Sequence, residues 1–234
     1  MVSLSTPPRP AQNSRRGRIA VVVVAVLSVG IALFAVPRYL VPGDVDPVVE
    51  IRDNVAFHLP FLIVHAAAGG IALLLGPFQF FGSIRRRHPK AHRVIGRLYL
   101  LAGILPGSLS GIVVAALTTS GPIATVTFIL LDIVWFYSSY RACKAVRARD
   151  FVEHEHWMLR SMAFTFAAVT LRLCLALFIA AQTPLLDSVY DGEFERLFAV
   201  AYTAAAVGSF VFNWLFIEIY LSRKRNREAA SIGR

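Results

Sequence analysis

The chain has 234 residues, 56% of them hydrophobic and 16% charged, with a formal net charge of +10. Soluble globular domains carry about 25% charged residues, so this composition excludes an ordinary water-soluble domain and points to the membrane class. A positive balance in a soluble chain would suggest nucleic acid. Here the Lys and Arg residues sit between apolar runs, the pattern of cytoplasmic retention, and nucleic-acid binding is set aside.

The apolar runs are about 20 residues long, enough to cross ~30 Å of hydrocarbon as helix, and alternating segments of the membrane-strand kind are absent. The expectation is an all-α, polytopic transmembrane helical bundle of six spans with N- and C-termini cytoplasmic. Residues 1–18 read as a disordered basic cytoplasmic tail, rich in Pro, Ser and Arg. Arg15, Arg16 and Arg18 precede the first run, 19–36. A signal peptide also begins this way, but the run exceeds a signal core and no A-x-A site follows, so an uncleaved first span is expected.

Residues 37–54 carry Pro37, Pro42 and Pro47 with Asp44, Asp46, Glu50 and Asp53, and read as an outer loop. Span two is expected at 55–81. The loop 85–93 holds Arg85, Arg86, Arg87, Lys90 and Arg93 and is assigned to the cytoplasm. Span three is expected at 94–117, kinked at Pro106. Its Gly103, Gly107 and Gly111 make a G-x-x-x-G-x-x-x-G face that lets another helix approach closely, in this chain or in a membrane partner or second copy. After T-T-S-G-P comes span four at 122–140, then a second basic loop with Arg141, Lys144, Arg147 and Arg149. Span five is expected at 157–182, an acidic loop follows, and span six at 197–221 ends in S-R-K-R-N-R and a basic tail, 223–234. Basic loops fall on one side and acidic loops on the other, as in a multi-pass protein of the inner membrane. Cys143 lies in a basic loop and Cys174 in an apolar run, so no disulfide framework is expected.

Ionisable groups at membrane depth are expensive and mark function or a buried structural pair. Counting along the helices at ~1.5 Å per residue puts His65, Asp132 and Arg172 in one middle-to-outer belt. They could line a polar proton path, or Asp132 and Arg172 could simply form an ion pair that fixes packing. A second belt near the inner face would hold His92, Arg97, His154, His156, Arg160, Asn213 and Glu218, with Gln79, Tyr99 and Tyr137 nearby. Arg97 and Arg160 are close enough to the edge to snorkel to lipid phosphates. Glu218, His58 and His88 read as solvated or surface groups.

His65 and His92 are each followed four residues on by glycine, Gly69 and Gly96, on the same helical face. A haem clamped between helices needs imidazoles from opposing sides and bare backbone for the flat ring, although small residues also serve plain packing. His92 and His154 can be level, with Arg97 and Arg160 placed for propionates; His65 is about 15–20 Å higher by helix rise. His65, His92 and His154 are also candidate metal ligands; His92 and His154, each where a loop becomes a helix, could equally cap or bond backbone. Metalloprotease, P-loop and nucleophile-elbow motifs are absent.

Two stretches carry a resemblance: G-P-F-Q-F-F-G-S-I-R-R-R-H-P-K-A-H-R-V-I-G-R-L-Y-L at residues 76–100, and H-E-H-W-M-L-R-S-M-A-F-T-F-A-A-V-T-L-R-L at residues 154–173. Together they resemble the predicted membrane proteins grouped as domain of unknown function 2306. The resemblance spans about residues 58–220. It implies a multi-span membrane domain with His65, His92, His154, Trp157, Arg160 and Arg172 at motif positions, and no settled activity. The histidine-bearing bundle is loosely similar to b-type cytochromes, but a second histidine pair is lacking. Three readings follow: a site for haem b in electron or quinone chemistry, with His92 and His154 axial; a small transporter or proton conductor using His65, Asp132 and Arg172; and a non-catalytic scaffold assembled through the glycine face.

Overall fold

The structure is a computed structural model, and it describes residues 15–40, 51–52 and 54–232. Most of the expected N-terminal tail, and Pro42, Pro47, Asp44, Asp46, Glu50 and Asp53 of the expected outer loop, lie outside the described residues. The described chain is helical, with no strand, and six of its helices are long and apolar enough to cross a membrane. We label these spans α1 (Arg15–Ala35), α2 (His58–Leu75), α3 (Pro89–Leu117), α4 (Pro122–Arg147), α5 (Phe151–Gln182) and α6 (Phe194–Ile232).

The helices outrun the apolar runs that announce them. α5 begins at Phe151 instead of the expected 157, because the Asp150 side chain accepts a hydrogen bond from the Glu153 N–H (2.9 Å) and caps the helix start. α4 continues to Arg147 and α6 to Ile232, so the expected C-terminal tail is helical through most of its length. Hydropathy locates what lies in hydrocarbon, whereas the backbone ladder stops only where a cap or a turn stops it. At the other end of the bundle, Gly121 (φ 90°) takes a conformation that favours glycine and turns the chain tightly into α4.

Pro106 leaves its mark on α3. Proline lacks an N–H and crowds the carbonyl four residues back. The helix widens just before it into a π-helical stretch, Tyr99–Ile104, between α-helical Pro89–Leu98 and Leu105–Leu117. α5 is the central helix and packs against α1, α2, α4 and α6. α2 and α3 pack closely on each other, as do α3 and α4.

The glycine face of α3 is consumed by these internal contacts. A Cβ on Gly103 would sit 3.1 Å from Ala72, and one on Gly107 would sit 3.2 Å from the Trp135 ring. A Cβ on Gly111 would collide with Asp132 and with His65. The face expected to receive a partner or second copy is therefore filled by α2 and α4 of the same chain. Large apolar side chains such as Val26, Leu101, Leu177 and Phe212 point outward instead, as the lipid-facing girth of a membrane bundle requires.

One end of the bundle is basic, with Arg85, Arg86, Arg87, Arg141 and Arg147; the other carries Asp187, Asp191, Glu193 and Glu195. The basic end is knitted by ion pairs. Glu155 meets Lys224 at 2.6 Å and Arg85 at 3.7 Å, tying the start of α5 to the end of α6 and to the short helix Gly82–Arg87.

Candidate functional site

His65 on α2, Asp132 on α4 and Arg172 on α5 line one cavity of about 220 Å³. All six spans contribute to it, for example through Ile31, Gly111 and Tyr202. The volume corresponds to about seven waters at ~30 Å³ each, and most of the wall is apolar. A largely apolar recess with a few convergent polar groups is the usual form of a small-molecule site.

The polar groups are held without being fully used. His65 Nδ1 bonds the Gly107 carbonyl (2.8 Å). In a neutral ring that makes Nδ1 the donor and leaves Nε2 with its lone pair, and Nε2 has no hydrogen-bond partner among the described residues. Asp132, only 6% exposed, has neither hydrogen bond nor ion pair among them. Its Oδ2 and His65 Nδ1 both crowd the bare backbone of Gly111, so they lie no more than about 5 Å apart, the reach of a direct contact or one bridging water. Arg172 Nη1 donates to the Ala168 carbonyl (2.8 Å), one turn back on its own helix. The anticipated Asp132–Arg172 ion pair does not form. Arg172 instead has the phenols of Tyr39 and Tyr202 for neighbours. Beside His65, Gly69 opens onto the cavity, where an added Cβ would meet nothing within 4 Å.

Below the cavity, toward the basic end, is a cluster that sequence reasoning missed. Trp135 Nε1–H donates to Thr165 Oγ1 (2.8 Å), and the Tyr99 hydroxyl lies 2.8 Å from both Thr165 Oγ1 and Ser161 Oγ. Ser139 Oγ is 2.8 Å from Ser161 Oγ. One ordering satisfies the hydroxyls: Ser139 donates to Ser161, Ser161 to Tyr99, Tyr99 to Thr165, and Thr165 to the Ser161 carbonyl (3.0 Å). Tyr99 is wholly buried, and Trp135 and Thr165 also form the cavity floor. Hydroxyls raise no charge signal. The clue was their spacing: Trp135 and Ser139, and Ser161 and Thr165, each stand four apart on one face.

The inner belt divides. Arg160 Nε and Nη2 donate to the two Glu218 oxygens at 2.6 and 2.9 Å, so Arg160 is engaged with a carboxylate and Glu218 is no free interfacial group. Arg160 and Arg141 also both lie over the Trp157 ring, each 4.6 Å from its centroid. Arg97 is exposed. His154 Nδ1 bonds the Ala142 carbonyl at 2.9 Å, the backbone role anticipated as one alternative. His92 lies close to His154, and its buried Nδ1 has no partner among the described residues. Gly96 is covered by the Gln79 side chain, whose Oε1 would sit 3.1 Å from an added Cβ, so the second histidine–glycine pair opens onto no bare slot as the first does. His58 is the reverse of a surface residue: fully buried, its Nδ1 accepts from the Arg52 N–H at 3.0 Å.

Among the described residues no three His, Cys, Asp or Glu side chains converge to hold a metal ion. His65 faces the cavity, which neither His92 nor His154 lines, so the three histidines do not form one metal site. Cys143 and Cys174 are both free thiols.

Fold and site together define a multi-pass integral membrane protein with a largely apolar recess among its spans that carries three ionisable side chains. The chain belongs to the family described as Predicted membrane protein (DUF2306), which matches residues 62–221. The matched stretch takes in the cavity residues His65, Asp132 and Arg172 and leaves out α1. No curated protein and no solved structure matches the chain, and the likeness to b-type cytochromes finds no counterpart in these comparisons.

Proposed function

We propose that this protein is a small transporter or proton conductor of the inner membrane, with both termini cytoplasmic, and that its working site is the cavity between His65, Asp132 and Arg172. The observation that carries this reading is unspent bonding capacity. Three ionisable side chains from three spans face one recess, and each keeps donors or acceptors that no described residue uses. Polar groups buried only to hold a fold are normally satisfied. Ionisable groups left open toward a cavity at membrane depth are the ordinary furniture of ion and proton paths. His65 Nε2 and Asp132 are the proton-accepting groups of the site, and the concentration of Lys and Arg at one end supports the orientation.

The test uses vesicles loaded with a pH-sensitive dye. Purified protein should speed the decay of an imposed pH gradient, and His65→Ala should return the decay to that of protein-free vesicles. Equal rates for wild type and His65→Ala would end the proposal.

A second reading rests on a separate observation, the unpartnered Nδ1 of His92 beside His154. It is the haem b reading, with these histidines as ligands and Arg97 near the propionates. Protein expressed with ample haem would then show a Soret band that His92→Ala abolishes, while the gradient assay is unaffected.

A further inference from the structure

The proton reading accounts for His65 and Asp132 but leaves Arg172 without a task. Arg172 sits ten residues inside the acidic end of α5, about 15 Å by helix rise. A guanidinium at that depth costs several kcal/mol unless an anion accompanies it. Its Nη1 is engaged with the Ala168 carbonyl, while Nε and Nη2 make no hydrogen bond among the described residues. Those two nitrogens form one edge of the fork that matches the two oxygens of a carboxylate. The Tyr39 and Tyr202 phenols beside it offer further donors. The rest of the wall is hydrocarbon, from Leu62, Ala66, Leu73, Val114 and Leu171, with open space over Gly69. A charged head position and an apolar tail position thus lie in one recess. The recess is too small for a two-chain lipid and suited to about ten non-hydrogen atoms, below the usual ~300–1,000 Å³ of drug-sized sites.

We infer that the cavity takes a small amphiphilic monocarboxylate, its head on the Nε–Nη2 edge of Arg172 and its hydrocarbon part along the wall at Gly69. This rests on the reading of the cavity as the working site and names its substrate class. Proton and anion would meet in one place, because His65 and Asp132 face the same space.

Thermal unfolding of the full chain in detergent tests the inference with three phenyl probes of similar size and different charge: benzoate, benzamide and benzylammonium. Benzoate should raise the unfolding midpoint by roughly 2–4 °C at saturating concentration, and the neutral and cationic probes should not. Inorganic phosphate, the head of a lipid without its tail, should also fail. Arg172→Gln should abolish the benzoate shift and Arg172→Lys should retain part of it. Gly69→Leu, which fills the tail position without touching Arg172, should reduce it. Should Arg172→Gln not fold, the wild-type contrast among the probes and the Gly69→Leu result still decide. A benzoate shift matched by benzamide, or one that survives in Arg172→Gln, overturns the inference. So does the absence of any shift. The gradient assay on the same preparations separates the two claims. Gradient decay that depends on His65 without benzoate binding sinks only the carboxylate assignment, and benzoate binding without such decay sinks only the proton path.

Discussion

Two polar clusters share the interior of this bundle, about two helical turns apart on α5, and they differ in what is left over. Around Tyr99 each hydroxyl has a partner, and the chain of donors ends on a backbone carbonyl. Around Arg172 the side chains keep open valences and face a cavity. Depth and polarity alone do not separate these clusters, because both lie between the helices and both join several spans. Satisfaction does. A closed network holds helices in register, whereas an open one is complete only with something bound or a proton moving.

This contrast can be broken by substitution. The largest effect on stability should come from Thr165→Val, which keeps the shape but removes the acceptor that Trp135 and Tyr99 share. The Trp135 N–H is left without an acceptor and the Tyr99 hydroxyl keeps only Ser161, so thermal unfolding in detergent should show a loss of about 1–3 kcal/mol, above the ~0.6 average for one hydrogen bond between membrane helices. A silent Thr165→Val would remove the structural half of the comparison. Gly111→Ala comes next. Its Cβ would strike Asp132 and His65, with a cost of about 1–2 kcal/mol and a loss of gradient decay in the same sample.

Smaller effects sharpen the contrast. Glu218→Gln breaks the fork with Arg160, but Glu218 is 37% exposed, so the loss should be about 0.2–1 kcal/mol with gradient decay intact. Asp132→Asn should be the smallest on the stability scale, within about 0.5 kcal/mol, because no bond to Asp132 is lost among the described residues. Its gradient decay should nevertheless fall to the protein-free rate. If Asp132→Asn costs more stability than Thr165→Val while gradient decay persists, the roles of the two clusters are reversed.

The sequence displayed some of this openly. Six apolar stretches of spanning length were visible from hydropathy, because lipid imposes composition on whole helices. The level shared by His65, Asp132 and Arg172 was visible from residue counting along them, because helix rise is fixed. What neighbours do to one another was hidden. The Gly103, Gly107 and Gly111 face reads the same whether it meets Ala72 and Trp135 of its own chain or a foreign helix. His58, beside the expected water boundary, gave no sign that the Arg52 backbone would fold over it. Gly69 and Gly96 stand in identical relation to a histidine, yet one opens on space and the other is covered by Gln79. Spacing fixes a face, and only the tertiary arrangement decides what the face sees.

The 39-residue α6 has a practical corollary. At 1.5 Å per residue it is about 58 Å long, nearly twice the ~30 Å of hydrocarbon it crosses. The surplus stands as a stalk of arginine and lysine, braced at its root by Lys224 on Glu155. A fluorophore or affinity tag fused beyond Ile232 would ride clear of the headgroups, reporting sidedness by its accessibility without disturbing the chambers below.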